Sequence, residues 1–182
     1  MVKSAVALAV ACAAASFGQG FAVRDPQGAL VSFNSFSDHV TVVTFISTQC
    51  PISNAYNGRM IAIYQDYSPK GVQFIFVNAN RTEPAEEVAR HAKDAGFPFP
   101  VYKDTDGHAL DRFDAQVTPE SFVIDSSGKV VYHGQVDDSR NEARVKQRTL
   151  RLALDAVLAG KPVPAAETKA FGCTIKRPRR TS

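Results

Sequence analysis

Strand-like and helix-like patterns of apolar residues alternate along the chain. Apolar and β-branched residues run almost without interruption through 40–47 and 72–78, as in strands that are covered on both faces. Between these runs, apolar residues recur every three or four positions, which predicts a helix that extends to about Tyr67. Gly58 costs this helix about 1 kcal/mol relative to alanine, so we expect a close backbone contact at that position.

The pattern on either side of this unit predicts further strands and helices. Residues 21–33 predict a β-hairpin around a turn at 25–28. After residue 78, the predicted elements are a helix that opens at Thr82, a strand at 98–102, a short helix at 108–113, two strands joined by a turn at 126–129, and a final amphipathic helix at 150–158. This order predicts an α/β fold in which parallel βαβ units come first and an antiparallel hairpin follows.

Cys50 lies at the junction of a predicted strand and a predicted helix. The unpaired N–H groups of a first helical turn and the positive end of the helix dipole favour a thiolate over a thiol. We therefore interpret Cys50 as a reactive nucleophile. The alternative is an inert, buried cysteine.

Residues 1–19 have the composition of a secretory signal peptide. Lys3 precedes an apolar run of small residues at 5–15, which is too short to span a bilayer as a stable helix. We expect export to a periplasmic or extracellular location, with no transmembrane segment in the rest of the chain. The residues around Cys12 loosely resemble a lipoprotein cleavage box, but the usual leucine three places before the cysteine is missing. Lipid anchoring through Cys12 therefore ranks below plain export.

Length, charge and cysteine count limit the class of protein. A chain of 182 residues fits one domain, and a formal net charge of +3 is too small to indicate a nucleic-acid partner. If Cys12 leaves with the signal peptide, two of the three cysteines remain, Cys50 and Cys173. In an oxidising compartment, two cysteines form or exchange a disulfide more readily than they bind structural zinc. The sequence indicates neither a metal nor a cofactor.

Four features together suggest a known family. They are Cys50 between a strand and a helix, Thr118-Pro119 immediately before a strand, the hairpin at 122–132, and the C-terminal segments 160–164 and 168–176. With these features, the chain resembles the thioredoxin fold, and within it the exported redoxins of the alkyl hydroperoxide reductase/thiol-specific antioxidant type. The resemblance implies a central mixed sheet flanked by helices, here with an N-terminal β-hairpin extension. It also implies a cis-proline at Pro119, opposite the reactive thiol in the loop that faces the substrate.

The residues around Cys50 depart from the patterns of related families. Thioredoxins carry a second cysteine at the position of Ser53 and a buried aspartate at the position of Thr44. The peroxiredoxin motif Pro-x-x-x-Thr/Ser-x-x-Cys is met at Ser47, but its proline is replaced by valine and its activating arginine by Pro119. A peroxidase without that arginine loses electrostatic stabilisation of the transition state. These departures favour thiol–disulfide exchange over peroxide reduction.

The sequence does not determine which thiol completes the redox cycle. Cys173 lies in a segment without strong periodicity, so it is free to resolve a mixed disulfide, to bond to a partner chain, or to pack as a small hydrophobic side chain. Ser47 and Ser53 are candidates to hydrogen-bond the thiolate, or they serve only around the helix cap. The predicted catalytic residues are therefore Cys50, Cys173, Pro119, Ser47 and Ser53.

Other polar groups support weaker interpretations. His133 and Cys50 together would offer copper an imidazole and a thiolate, but the related copper-delivery proteins carry a second cysteine at the position of Asn54. Asp137 and Asp138 have no identifiable acid–base partner and are predicted to be solvated.

The sequence thus predicts an exported thiol–disulfide oxidoreductase with Cys50 as its nucleophile. The predicted divisions are a signal peptide at 1–19, a redoxin domain at 20–160 and a C-terminal tail at 161–182 that carries Cys173. The expected partners are a disulfide- or thiol-bearing protein or small molecule and an electron-donor thiol protein. The alternatives are a peroxiredoxin-like thiol peroxidase with antioxidant activity, or a non-enzymatic copper-binding or recognition module on the same fold.

Overall fold

One seven-stranded mixed sheet forms the centre of the protein. A computed structural model describes residues 20–177, so the predicted signal peptide, with Cys12, lies outside the described residues. The sheet has the strand order β2-β1-β5-β4-β3-β7-β8, and β6 and β9 form a separate two-stranded sheet. The strands are β1 (Phe21–Arg24), β2 (Leu30–Phe33), β3 (Thr41–Phe45), β4 (Gln73–Asn78), β5 (Val101–Lys103), β6 (Val117–Thr118), β7 (Glu120–Ile124), β8 (Val130–Gly134) and β9 (Cys173–Thr174). The helices are α1 (Pro51–Asn54), α2 (Asn57–Tyr67), α3 (Ala85–Asp94), α4 (His108–Phe113) and α5 (Thr149–Leu158).

The strand pairing confirms the predicted order of units. β3 pairs in parallel with β4, and β4 pairs in parallel with β5. On the other side of β3, the strands β7 and β8 form the predicted antiparallel hairpin. The N-terminal hairpin is β1–β2, with Phe21 opposite Phe33, and it extends the sheet beyond β5. The fold is therefore α/β, with a central mixed sheet and an N-terminal hairpin extension, as predicted.

The central strands divide their side chains between two apolar cores. In β3, Val42 belongs to a core with α2 and α5, whereas the next residue, Val43, belongs to a core with α4 and β1. This alternation follows from the period of two in a strand. Both faces of the sheet are thus covered, which explains the continuous apolar runs in the sequence. Ile175, far from these strands along the chain, also belongs to the second core.

The helix predicted behind Cys50 is present but divided. The backbone N–H of Tyr56 bonds the carbonyl of Ser53 over 2.9 Å, a tighter turn that separates α1 from α2. The close contact expected at Gly58 is wrong, since no atom outside the helix lies within 4 Å of the place where a Cβ would be. Within residues 20–177, no helix has both the length and the apolar character needed to cross a bilayer.

The next helix begins two residues later than predicted, because its N-cap is Pro84 and not the capping hydroxyl of Thr82. α3 starts at Ala85 with Pro84 as its N-cap, and no side chain caps it. Glu83, which follows Thr82 and would lie in the first turn of the predicted helix, is buried instead and accepts hydrogen bonds from Ser47 and Thr48 in the loop before Cys50.

The packing of α5 predicts a measurable difference between two leucines. Leu154 is fully buried and Leu152 is 49% exposed. We expect Leu154→Ala to lower the free energy of unfolding by about 2–5 kcal/mol, because it removes buried methyl groups and leaves a cavity. Leu152→Ala, the control on the same helix, should change it by no more than about 0.5 kcal/mol. Urea denaturation of both variants tests the assignment, and equal losses would contradict it.

Candidate active site

Cys50 occupies the turn between β3 and α1. It is the N-cap of α1, with an extended backbone (φ −85°, ψ 113°), and Pro51 takes the first helical position. The backbone N–H of Ser53 donates a hydrogen bond to Cys50 Sγ over 3.3 Å. An N–H donor aimed at the sulfur stabilises a thiolate more than a thiol. The N-cap position and this donor are therefore features that would stabilise a Cys50 thiolate once the disulfide is reduced.

Cys173 forms a disulfide with Cys50, although 123 positions separate the two residues along the chain. Their Cα atoms lie 5.8 Å apart, within the normal range for a disulfide. Cys173 opens β9, which pairs with β6, so that Cys173 lies opposite Thr118. The bond between Thr118 and Pro119 is cis, and the carbonyl oxygen of Thr118 lies 3.4 Å from Cys50 Sγ. The described fold thus brings Cys50, Cys173 and Pro119 together.

Tight contacts on either side of Cys173 dock the C-terminal tail. A Cβ at Gly172 would overlap the carbonyl oxygen of Thr118, so only glycine permits this approach. Ile175 is buried, and its backbone N–H donates to the carbonyl of Gln116 over 2.9 Å. Cys173 is therefore held by neighbours in the chain as well as by its sulfur.

The earlier part of the tail is docked against β8. Thr168 Oγ1 lies 2.7 Å from the hydroxyl of Tyr132, and the Thr168 N–H donates to the carbonyl of His133. The ring of Phe171 packs edge-on against that of Tyr56, at the start of α2. These contacts cover one edge of the main sheet and bring the tail to Cys50.

The hydroxyl groups of the two predicted serines do not bond the sulfur in this disulfide state. Ser47 Oγ accepts from the backbone N–H of Cys50 over 3.0 Å, and Ser53 Oγ accepts from the backbone N–H of Ser47 over 3.1 Å. Both side chains therefore hold the turn on which Cys50 sits. The direct contact with sulfur comes from the backbone N–H of Ser53.

Glu83 is a buried acid at the site that the sequence did not reveal. Its carboxylate accepts from Ser47 Oγ at 2.5 Å, from the Thr48 N–H at 2.7 Å and from Asn78 Nδ2 at 2.5 Å. Burial by itself raises the pKa of Glu83, but these hydrogen bonds outweigh burial and lower the pKa. Glu83 is thus ionised at neutral pH and anchors the loop before Cys50. The sequence signal for Glu83 was its position shortly after β4. Because the parallel strands β3 and β4 end at the same edge of the sheet, the residues that follow them lie close together.

One of the two aspartates predicted to be solvated is buried. Asp137 is 2% exposed, and Arg59 Nη1 donates to both of its carboxylate oxygens at 2.8 and 2.7 Å. The prediction for Asp137 is wrong because α2 brings Arg59 to it from 78 positions earlier in the chain. The guanidinium also lies 3.6 Å from the ring centroid of Tyr56. The neighbouring Asp138 is exposed, as predicted.

His133 contacts Glu120, the first residue of β7. Its Nε2 lies 2.7 Å from Glu120 Oε1, and the other carboxylate oxygen of Glu120 accepts from the backbone N–H groups of Gln116 and Val117. His133 therefore supports the loop that leads to Pro119. Among the described residues, no group of three or more histidine, cysteine, aspartate or glutamate side chains is arranged to hold a metal ion.

Comparison with protein families and curated relatives gives a consistent match. The model of the Redoxin family matches residues 15–148 of the chain. The chain is 29% identical over 111 residues to the thiol-disulfide oxidoreductase ResA of Bacillus subtilis. That alignment covers 61% of this chain and 61% of the relative, so the chain spans about three-fifths of the length of this curated protein.

Solved structures confirm the fold over a larger part of the chain. A conserved protein of Geobacillus kaustophilus is 34% identical, with a TM-score of 0.81, and the match covers 90% of this chain and 92% of that one. A thiol:disulfide interchange protein of the thioredoxin family from Chlorobium tepidum TLS is 24% identical, with a TM-score of 0.57 over 68% of this chain and 87% of that one. The second match, at its low identity, shows the fold alone, and that fold is thioredoxin-like.

The buried carboxylate predicts a pH-dependent loss of stability. We expect Glu83→Gln to lower the free energy of unfolding at pH 7 by about 1.5–3 kcal/mol, because hydrogen bonds to a charged group are lost. Since the pKa of Glu83 is lowered by folding, its contribution is fully present above the unfolded pKa of about 4.3 and is lost as the pH falls through the folded pKa. Urea titrations across pH 3–7 should show the two proteins converging at the acid end. Glu142→Gln, at an exposed site 4.0 Å from Arg148, is the control and should stay within about 1 kcal/mol of the wild type.

The close approach of the tail predicts that alanine substitutions at two glycines differ in their effect on the disulfide. Gly172→Ala forces the tail away from Thr118, so we expect a larger fraction of free thiol at Cys50 and Cys173 after mild oxidation. Gly58→Ala, where the added Cβ meets open space, should leave that fraction unchanged and stabilise the helix by up to about 1 kcal/mol. Thiol titration of the native proteins measures both. A fully oxidised Gly172→Ala variant would contradict the docking.

Proposed function

The chain belongs to the redoxin family, and from this premise we propose that it is a thiol–disulfide oxidoreductase. Cys50 is its nucleophile and Cys173 is its resolving thiol. The observation that carries this proposal is the disulfide between Cys50 and Cys173, because it pairs an activated N-cap cysteine with a second thiol that sequence spacing does not supply. The activity of the Bacillus subtilis relative, as its name gives it, is consistent with this chemistry.

The proposed cycle has two balanced exchange steps. In the dithiol state, the Cys50 thiolate attacks one sulfur of a target disulfide, forms a mixed disulfide and expels the other target sulfur as a thiolate. Cys173 then attacks Cys50 Sγ as a thiolate, which releases the second target thiolate and closes the Cys50–Cys173 disulfide. The target gains two electrons and the protein loses two. A donor that oxidises two of its own thiols to a disulfide returns the protein to the dithiol state.

The remaining predicted residues have supporting roles in this proposal. Ser53 stabilises the Cys50 thiolate through its backbone N–H, and Ser47 holds the Cys50 backbone N–H. Pro119 shapes the substrate-facing loop, since the carbonyl of the preceding Thr118 contacts Cys50 Sγ. In the disulfide state β9 pairs with β6, directly before Pro119. An extended target therefore has to bind at a part of this loop that the tail does not cover.

Partners and location follow from the chemistry and from the N-terminal composition. We propose a disulfide- or thiol-bearing protein or small molecule as the substrate and a thiol protein as the electron donor. We also propose that residues 1–19 direct export to a periplasmic or extracellular location, where a two-cysteine site meets disulfides. The proposed divisions of the chain remain a redoxin domain at 20–160 and a tail at 161–182.

Three proteins compared in one assay test the function. The wild type should accelerate reduction of a disulfide-bonded peptide by glutathione, and Cys50→Ser should return the rate to that without protein. Cys173→Ser should accumulate a mixed disulfide at Cys50, which mass mapping locates, because the resolving thiol is missing.

Parallel measurements separate the alternatives. Peroxide consumption faster than that of free cysteine, without turnover of the peptide disulfide, would favour a thiol peroxidase. Stoichiometric copper after reconstitution, again without turnover, would favour a binding module. Unchanged turnover in Cys50→Ser would overturn the assignment of the nucleophile.

A further inference from the structure

A buried lysine is linked through hydrogen-bonded neighbours to both segments that carry the cysteines, and it has no role in the cycle above. Lys103, the last residue of β5, is 8% exposed. Burial lowers the pKa of Lys103, whereas the nearby carboxylates of Glu83 and Asp104 oppose that shift. An ammonium group removed from water is costly unless it is hydrogen-bonded, so this lysine needs a structural account.

Two acceptors hold the Lys103 ammonium group. Lys103 Nζ donates to Asn78 Oδ1 at 2.7 Å and to the carbonyl oxygen of Asn80 at 2.5 Å. Asn78 ends β4, and Asn80 lies two residues beyond it. Lys103 therefore fixes the backbone and the side chain of the segment that leaves the sheet between β4 and α3.

From Asn78, the hydrogen bonds continue to the first cysteine. Asn78 Nδ2 donates to Glu83 Oε2, and Ser47 Oγ donates to Glu83 Oε1, each over 2.5 Å. Ser47 Oγ in turn accepts the backbone N–H of Cys50 over 3.0 Å. An unbroken set of side chains thus joins Lys103 to the backbone of the proposed nucleophile.

From Asn80, the hydrogen bonds continue to the second cysteine. Asn80 Oδ1 accepts the backbone N–H of Lys176 at 2.8 Å, and the backbone N–H of Arg81 donates to the carbonyl of Lys176 at 2.9 Å. Lys176 lies three residues beyond Cys173, directly after the buried Ile175. The same lysine is therefore connected to the segment that carries the resolving thiol.

We infer that Lys103 is a positioning residue that sets Cys50 and Cys173 against each other through Asn78 and Asn80. It touches neither sulfur and takes no part in bond exchange. By fixing the segment that leaves β4, it restricts both the turn of Cys50 and the tail of Cys173. A restricted pair of thiols has a higher effective concentration and therefore closes its disulfide more readily. The inference deepens the proposed function, on which it rests, by assigning what holds the two thiols in register.

The equilibrium between the dithiol and the disulfide in a glutathione redox buffer tests this inference. We expect Lys103→Met, which removes both donated hydrogen bonds, to shift the equilibrium constant about tenfold towards the dithiol. Lys129→Met, at an exposed lysine, should leave the constant within about twofold of the wild type. Leu154→Ala, which weakens the core without touching the hydrogen bonds, should also leave it unchanged while the protein stays folded. The second control separates positioning from a general loss of stability.

Two substitutions at Asn80 provide an independent test if Lys103→Met does not fold. Asn80→Ala removes the acceptor for Lys176 and should shift the equilibrium in the same direction. Asn80→Asp keeps an oxygen acceptor and should restore most of the constant. Wild-type constants in folded Lys103→Met or in Asn80→Ala would overturn the inference. Because the equilibrium is measured without a substrate, absent peptide turnover with a shifted constant would reject the proposed function and leave the positioning role standing.

Discussion

Docking of segment 161–177 across β8 and β6 is the contact on which the site depends. Without it, Cys50 is a single thiol at the start of a helix, with Ser53 where a second cysteine stands in thioredoxins. The docked tail places Cys173 against Cys50 and buries Ile175 in the core beside β3. Because glycine at 172 permits close contact with Thr118, the tail lies flat on the loop that leads to Pro119. The second thiol is therefore delivered by tertiary packing.

Bringing together two cysteines that are this distant in sequence costs more conformational entropy than bringing together neighbouring cysteines. In the chain-entropy model, closing a loop of about 100 residues costs the unfolded chain about 4.7 kcal/mol. In the folded protein, the β6–β9 pairing, the buried Ile175 and the contacts of Thr168 have already placed the tail. The disulfide then joins groups that lie close together. This arrangement makes the redox state of the site depend on how firmly the tail is held.

Buried polar groups next to the site explain how the tail and the Cys50 turn are held in place. The parallel strands β3, β4 and β5 end at one edge of the sheet, so their outgoing segments contribute Ser47, Asn78 and Lys103 to one region. These side chains and Glu83 are buried, and their hydrogen bonds satisfy the charges that burial would otherwise make unfavourable. A buried network of this kind specifies geometry more strongly than an apolar contact, because each group has few alternative partners.

Periodicity and local chemistry determined the order of strands and helices along the chain, the helix faces and the place of Cys50, since a period of 2 or 3.6 can be recognised from neighbouring residues alone. The same signals placed Glu83 in a first helical turn and left Asp137 in solvent, and both are buried by partners more than 30 positions away. Cys173 lies in a segment without strong apolar periodicity, so the sequence did not show which residue it contacts. Only the tertiary structure decided that it meets Cys50, because that contact depends on how the tail crosses two strands and on which segments leave the same edge of the sheet.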